Sequence, residues 1–187
     1  MKKAILLVVL WTGLGSISFS QAGEWKVVES DSFIGFIATY DDIPFEARFE
    51  SFEADIEFAA GDLDSASFDV SIETVSLDSN SPDRDSGMQE QEWFATEKHP
   101  AARFRTDRIE RISDNRYRAI GELTVKDVTR TIEVPFTWEQ ESGDQAILIA
   151  ETRLKRGDFN IGTGEWAEDD IIGFDVVVKA RLTLARR

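Results

Sequence analysis

Glu53-Ala54-Asp55-Ile56-Glu57-Phe58 sets an acidic side chain at every second position with an apolar one between. Successive side chains of a β-strand point to opposite faces, so this period of two predicts a strand with one wet and one dry face. Phe68-Asp69-Val70-Ser71-Ile72-Glu73 repeats it. Phe33 to Tyr40, Ala102 to Ile109, Tyr117 to Val125, Thr131 to Trp138, Ala146 to Leu154 and Ile171 to Leu184 alternate in the same way. Together they give about eight strands, the number at which a closed antiparallel barrel has an interior able to hold side chains or one ligand.

Turn chemistry falls between these runs. Ala60-Gly61-Asp62, Ser113-Asp114-Asn115 and Ser142-Gly143-Asp144 are Gly/Asn/Asp/Ser clusters, which predict hairpins rather than crossovers. No stretch beyond the first residues sustains a 3.6-residue apolar period, so the chain is all-β, with a β-sandwich as the architectural rival of the barrel. The period slips between Phe49 and Phe52, as at a bulge or tight bend that curves a barrel strand. Ser76 to Pro100 is a long polar insert with Trp93-Phe94 inside it; long loops in compact domains are functional or partly structured. Its Met88 to Thr96 portion is expected to hold a short helix.

The chain opens with Met1-Lys2-Lys3, an apolar run from Ala4 to Trp11, and small residues at Ser20-Gln21-Ala22, the three-part pattern of a secretory signal peptide cleaved after Ala22. The mature domain is then residues 23–187, a single-domain size. Of 187 residues, 21 are basic and 36 acidic; without Lys2 and Lys3 the basic count is 19 and the net charge −17. Such a surface repels nucleic acid. There is no cysteine, hence no disulfide and no lipid anchor through a Cys at the cleavage site.

His99 is the single histidine, so a structural zinc site lacks ligands and any Ser-His-Asp mechanism would have to use it. Its place before Pro100, with no Gly-x-Ser-x-Gly elbow in the chain, reads as a loop histidine. Two carboxylates suffice for glycoside hydrolysis, and Asp83-Arg84-Asp85 and Glu165 to Asp170 are the local acidic clusters; neither has the spacing of a calcium loop. A membrane barrel needs an apolar outer face, whereas Glu53, Asp55, Glu57, Asp69 and Glu73 occupy it here. The inward set is then Phe36, Phe52, Ile56, Phe58, Val70, Ile72, Phe104, Leu123, Val134, Phe136, Phe174 and Val176. With 13 Phe in the chain, that set forms either a packed aromatic core or an apolar ligand cavity.

Thr74-Val75-Ser76-Leu77-Asp78-Ser79-Asn80, Arg84-Asp85, Trp93-Phe94 and Lys98-His99-Pro100-Ala101-Ala102-Arg103-Phe104, followed by Gly121 to Thr129 and Arg156-Gly157-Asp158-Phe159-Asn160-Ile161, resemble in order and spacing the blocks of the YceI-like family. These are lipocalin-like bacterial polyisoprenoid-binding proteins, and the resemblance runs from about Trp25 to Leu184. It implies an extended eight-stranded antiparallel lipocalin-like barrel with a short helix in the Ser76 to Pro100 connection, no catalytic residues and no cofactor. It also implies a periplasmic protein that holds an isoprenoid lipid or isoprenoid quinone. The expected ligand-binding residues are the inward set together with Trp93 and Phe94. Gly87-Met88 stand where many relatives have His-Leu, which leaves that position without a polar group for a ligand head; Asp127 stands where relatives have Gly. Gly162-Thr163-Gly164-Glu165-Trp166 is similar to members found beside membrane cytochrome b561-type proteins, which implies such a partner; a homodimer is a further expectation. Two other classes stand beside the carrier: a hydrolase working through paired carboxylates, and an interaction or stress-protection module with a filled core.

Overall fold

Alternation becomes a closed barrel because every strand can bury its apolar face only by turning it toward the others. The structure, a computed structural model, describes residues 23–187, and the signal peptide expected over residues 1–22 lies outside them. The strands are β1 (Gly23–Val27), β2 (Phe33–Tyr40), β3 (Ile43–Phe49), β4 (Phe52–Ala59), β5 (Asp62–Glu73), β6 (Leu77–Asp78), β7 (Ala101–Arg111), β8 (Arg116–Val125), β9 (Val128–Gln140), β10 (Gln145–Lys155) and β11 (Asp175–Arg186). One helix, α1 (Pro82–Gln89), lies between β6 and β7.

Eight strands close the ring in the order β1-β4-β5-β7-β8-β9-β10-β11, with β1 returning to β11, and every pairing is antiparallel. The extra strands lengthen this ring at one end. β11 pairs with β1 through residues 184–186 and with β2 through residues 177–181, so β1 and β2 lie end to end along one edge. β3 and β4 continue each other past Glu50-Ser51, where the sequence period slips; β3 pairs with β2, and β4 with β1. The three hairpins expected from turn clusters, at 60–61, 112–115 and 141–144, join strands at the end where β1 and the last residues of β11 meet. Two further hairpins, at Asp41-Asp42 and at Lys126, turn on non-glycine residues with φ between 50° and 59°.

β1 and β6, too short to show a period, lie outside the strands expected from alternation, β3 appears there only as the stretch with a slipped period, and β11 starts at Asp175 rather than Ile171. The helix also differs in place: it covers Pro82–Gln89, and residues 91–98 form turns instead. Pro82 at the first helical position and Asp83 and Asp85 in the first turn explain this, since proline needs no partner for a missing N–H there and carboxylates favour the positive end of the helix dipole.

The ladder stops short in two places: β5 and β7 part beyond Asp69↔Arg105, toward the hairpin end, and β9 and β10 part toward the other. β9 and β10 pair only from Ala146↔Gln140 to Ala150↔Phe136, while β8 pairs with β9 as far as Val125↔Val128 and β10 with β11 as far as Lys155↔Asp175. The Thr152 hydroxyl donates to the Glu133 carbonyl at 2.9 Å, so Glu133 turns its backbone groups toward β10. By strand alternation Pro135 faces the same way, with no N–H to give, at the position where pairing stops. Beyond it, residues 130–132 of β9 and 153–155 of β10 flank a slot of about 460 Å³.

Candidate functional site

The two ends of the barrel are built differently. At the hairpin end, aromatic rings form a solid floor. Phe58, 1 % exposed, sits at its centre, with ring centroids 4.5 Å from Trp138, 5.0 Å from Tyr117 and 5.7 Å from Phe136. Trp25 meets Trp138 edge-on at 5.2 Å and donates its indole N–H to the Phe58 carbonyl at 2.9 Å. Edge and offset geometries of this kind add to the area buried by large rings.

Above the floor lies an apolar cavity of about 620 Å³. That volume falls within the range of small-molecule sites. Of the expected ligand-binding residues, Phe36, Ile56, Val70, Ile72, Trp93, Phe94, Phe104, Leu123, Val134, Phe136 and Val176 line it. Phe52, Phe58 and Phe174 do not. Phe58 is part of the floor, Phe52 packs half-buried against the same core, and Phe174 lies under the Arg156 guanidinium at 5.2 Å. Leu148, Leu154 and Leu182 line the cavity without having been singled out, although the alternation of β10 and β11 carried their signal. Phe49, Met88 and Phe159 also belong to it and come from a broken strand, a polar helix and a loop, where period-two reading has no grip.

The far end is covered by the two long connections, residues 74–100 and 156–174, stitched together along one side. The Lys126 ammonium donates to the carbonyls of Gln91 and Asn160, at 3.0 Å each, and the N–H groups of Gly162 and Thr163 both donate to the Glu92 carbonyl. Burial lowers the Lys126 pKa, against the pull of Asp127 and Glu92. Trp93 and Trp166 face each other at 5.8 Å, and Phe94 meets Phe49 at 6.1 Å. The polar insert is therefore a cover whose aromatic pair forms part of the cavity wall.

Arg156, 5 % exposed, anchors the second connection. All five of its N–H groups donate to backbone carbonyls: Nε to Gly173, Nη1 to Ile161 and Gly162, and Nη2 to Glu168 and Ile172, at 2.7–3.2 Å. Burial pushes its pKa down, opposed by Asp169. Gly162, at φ +70°, is required beside it, because a Cβ there would run into the guanidinium. With every donor engaged, Arg156 has none left for a ligand.

On the other side of this end, α1 and the 41–42 hairpin border the cavity through Tyr40, Phe45, Ser81, Asp83, Arg84 and Gly87. Arg84 stacks over Phe45 at 4.2 Å; its Nε donates to the Ser79 hydroxyl and its Nη2 to the Ser79 carbonyl, each at 2.8 Å, while Asp85 accepts from the Ser79 N–H at 2.9 Å. Position 87 is glycine and Met88 is buried, so α1 brings an apolar side chain to the cavity and no polar one from position 87. His99 stands apart from the cavity, with Nδ1 3.5 Å from the exposed Asp127 carboxylate and its carbonyl accepting from Thr74. Glu165, Glu168, Asp169 and Asp170 are exposed and do not line the cavity, whose lining includes Asp83 and Glu151 instead.

Comparison with known proteins fits this geometry. The YceI-like domain matches residues 25–184. A UPF0312 protein of Pseudomonas putida is 24 % identical over 187 aligned positions, covering 96 % of this chain and 97 % of its own. One from Vibrio campbellii is 29 % identical over 121, covering 62 % of this chain and 64 % of its own. Among solved structures, BcnA of Burkholderia cenocepacia superimposes with a TM-score of 0.81 at 27 % identity, over 84 % of this chain and 99 % of that one. A polyisoprenoid binding domain from Saccharophagus degradans shares the fold, with a TM-score of 0.70 at 15 % identity over 89 % and 99 %. An eight-stranded barrel with this cover, matched across nearly all its described residues, places the chain in the YceI-like family.

Proposed function

We propose that this protein binds a long isoprenoid lipid or isoprenoid quinone in the barrel interior and carries or sequesters it in the periplasm. The observation that carries the reading is the 620 Å³ cavity, closed below by packed aromatic rings and walled by Phe, Leu, Ile and Val. Family membership and the fold shared with a polyisoprenoid binding domain support it. The signal-peptide pattern of residues 1–22 supports the compartment. An isoprenoid tail is insoluble in water, and each Å² of apolar surface it buries stabilises the complex by about 25 cal/mol. Such contacts have no direction, so they recognise a flexible branched chain better than a rigid shape.

Native mass spectrometry of protein purified from its own periplasm, followed by organic extraction, tests this directly. The expected result is a stoichiometric adduct that releases a prenyl lipid or quinone. A mass equal to the bare chain, unchanged after incubation with geranylgeraniol, would instead favour the interaction module with a filled core.

A further inference from the structure

The slot between β9 and β10 adjoins the apolar cavity, sharing Ile132, Leu154, Lys155 and Phe159 with its lining. Its charged groups are of both signs, with the cations in excess. Arg130, Arg153 and Lys155 line it, and all three are exposed. Arg130 donates through Nε to the Asp158 carbonyl at 3.3 Å; neither Arg153 nor Lys155 has an ion-pair partner among the described residues. The carboxylates of Asp158 and Asp175 also line the slot, while the nearby Glu133 and Glu151 are paired with Arg118 at 3.3 Å and Lys179 at 3.9 Å. The strand edges add donors. Glu133 faces β10, so by alternation Thr131 does too, and Arg153 faces β9; their N–H groups cross the slot without a ladder partner.

At the other border of the cavity Asp83 and Arg84 line it together, Arg84 with its Nε and Nη2 engaged by Ser79, and Asp41 and Asp42 sit on the adjoining hairpin. A negative head group therefore meets cations without ion-pair partners among the described residues at the slot, rather than the Ser79-engaged Arg84 there.

Resting on the isoprenoid reading of the cavity, we infer that the β9–β10 slot is the head-group site, and that the ligand class is a prenyl chain ending in phosphate rather than in a neutral group. The tail lies in the barrel, and the phosphate sits between the two open strand edges against Arg153 and Lys155. A phosphate near two such exposed cations gains about tenfold in affinity at low ionic strength, and salt removes the gain.

Tryptophan-quenching titrations with geranylgeranyl monophosphate and geranylgeraniol, which share one tail, separate the parts of the argument. The expected result is a roughly tenfold preference for the phosphate at low salt, shrinking as salt rises and collapsing in R153Q/K155Q, whose melting temperature checks the fold. No preference in the unaltered protein overturns the inference, as does a preference that survives R153Q/K155Q. A preference lost only in R84Q also overturns it, by putting the head group beside α1. If neither compound binds, the isoprenoid reading itself falls.

Discussion

At the residue scale, Arg156 is the clearest case of a side chain whose role lies in geometry rather than in charge pairing. Its planar fork matches carbonyls from three stretches of one connection, a set that a lysine ammonium cannot span. Arg156→Gln leaves several buried acceptors unpaired and is expected to cost about 3 kcal/mol, measured by urea unfolding, with faster amide exchange at 161–173. Arg156→Lys should recover little of it. A second residue-scale prediction concerns Asp69, held by Arg103 through Nε at 2.7 Å and Nη2 at 2.5 Å. The Arg103 hydrogen bonds, aided by the charges of Arg103 and Arg105, lower the Asp69 pKa against partial burial. A depressed folded pKa contributes stability above the ordinary carboxylate range that is lost as pH falls through it. Asp69→Asn should therefore lower the urea midpoint at pH 7, and the difference from the parent should vanish in strong acid.

The elements separate an aromatic floor from a covered, cavity-bearing end. Phe58→Ala opens a hole in the floor and is expected to cost about 3–5 kcal/mol in chemical unfolding. Replacing Trp93 and Phe94 together with Ala removes cavity wall from the cover. The expected outcome is release of a fluorescent farnesyl probe that is about tenfold faster or more, with a smaller fall in melting temperature. The reverse ranking would mean that the aromatic pair is a plug. This division also explains what could be read beforehand. Strands such as β4 and β5 were legible because Glu53, Asp55 and Glu57 alternate with Ile56 and Phe58, and burial on one face enforces that pattern. The pattern says which side chains turn inward, but not how deep each lies, so Phe58 in the floor and Phe104 in the cavity wall read alike. The cover obeys no period, since its positions are set by backbone hydrogen bonds to Arg156 and Lys126. The β9–β10 slot had one local sign, Pro135 inside an apparent central strand, whose cost in lost pairing was the clue.

For the whole molecule, a ligand that binds only the folded barrel must raise its stability by mass action. Geranylgeraniol at a hundred times its dissociation constant should add about 2.7 kcal/mol, read as a concentration-dependent rise in melting temperature. A filled core would show no such rise. The net charge of −15 leaves the surface strongly acidic, and the slot interrupts it with cations.

The pairing of β1 with the last residues of β11 has a practical consequence. Trp25 lies opposite Arg186, so the chain enters and leaves the barrel beside the aromatic floor, across the molecule from its cover. A tether joined to either terminus would hold the protein upright, with the cover turned to solution and free to move. Immobilised through such a tether, the barrel could report uptake of its cargo at an electrode or sensor surface without the attachment obstructing the route in.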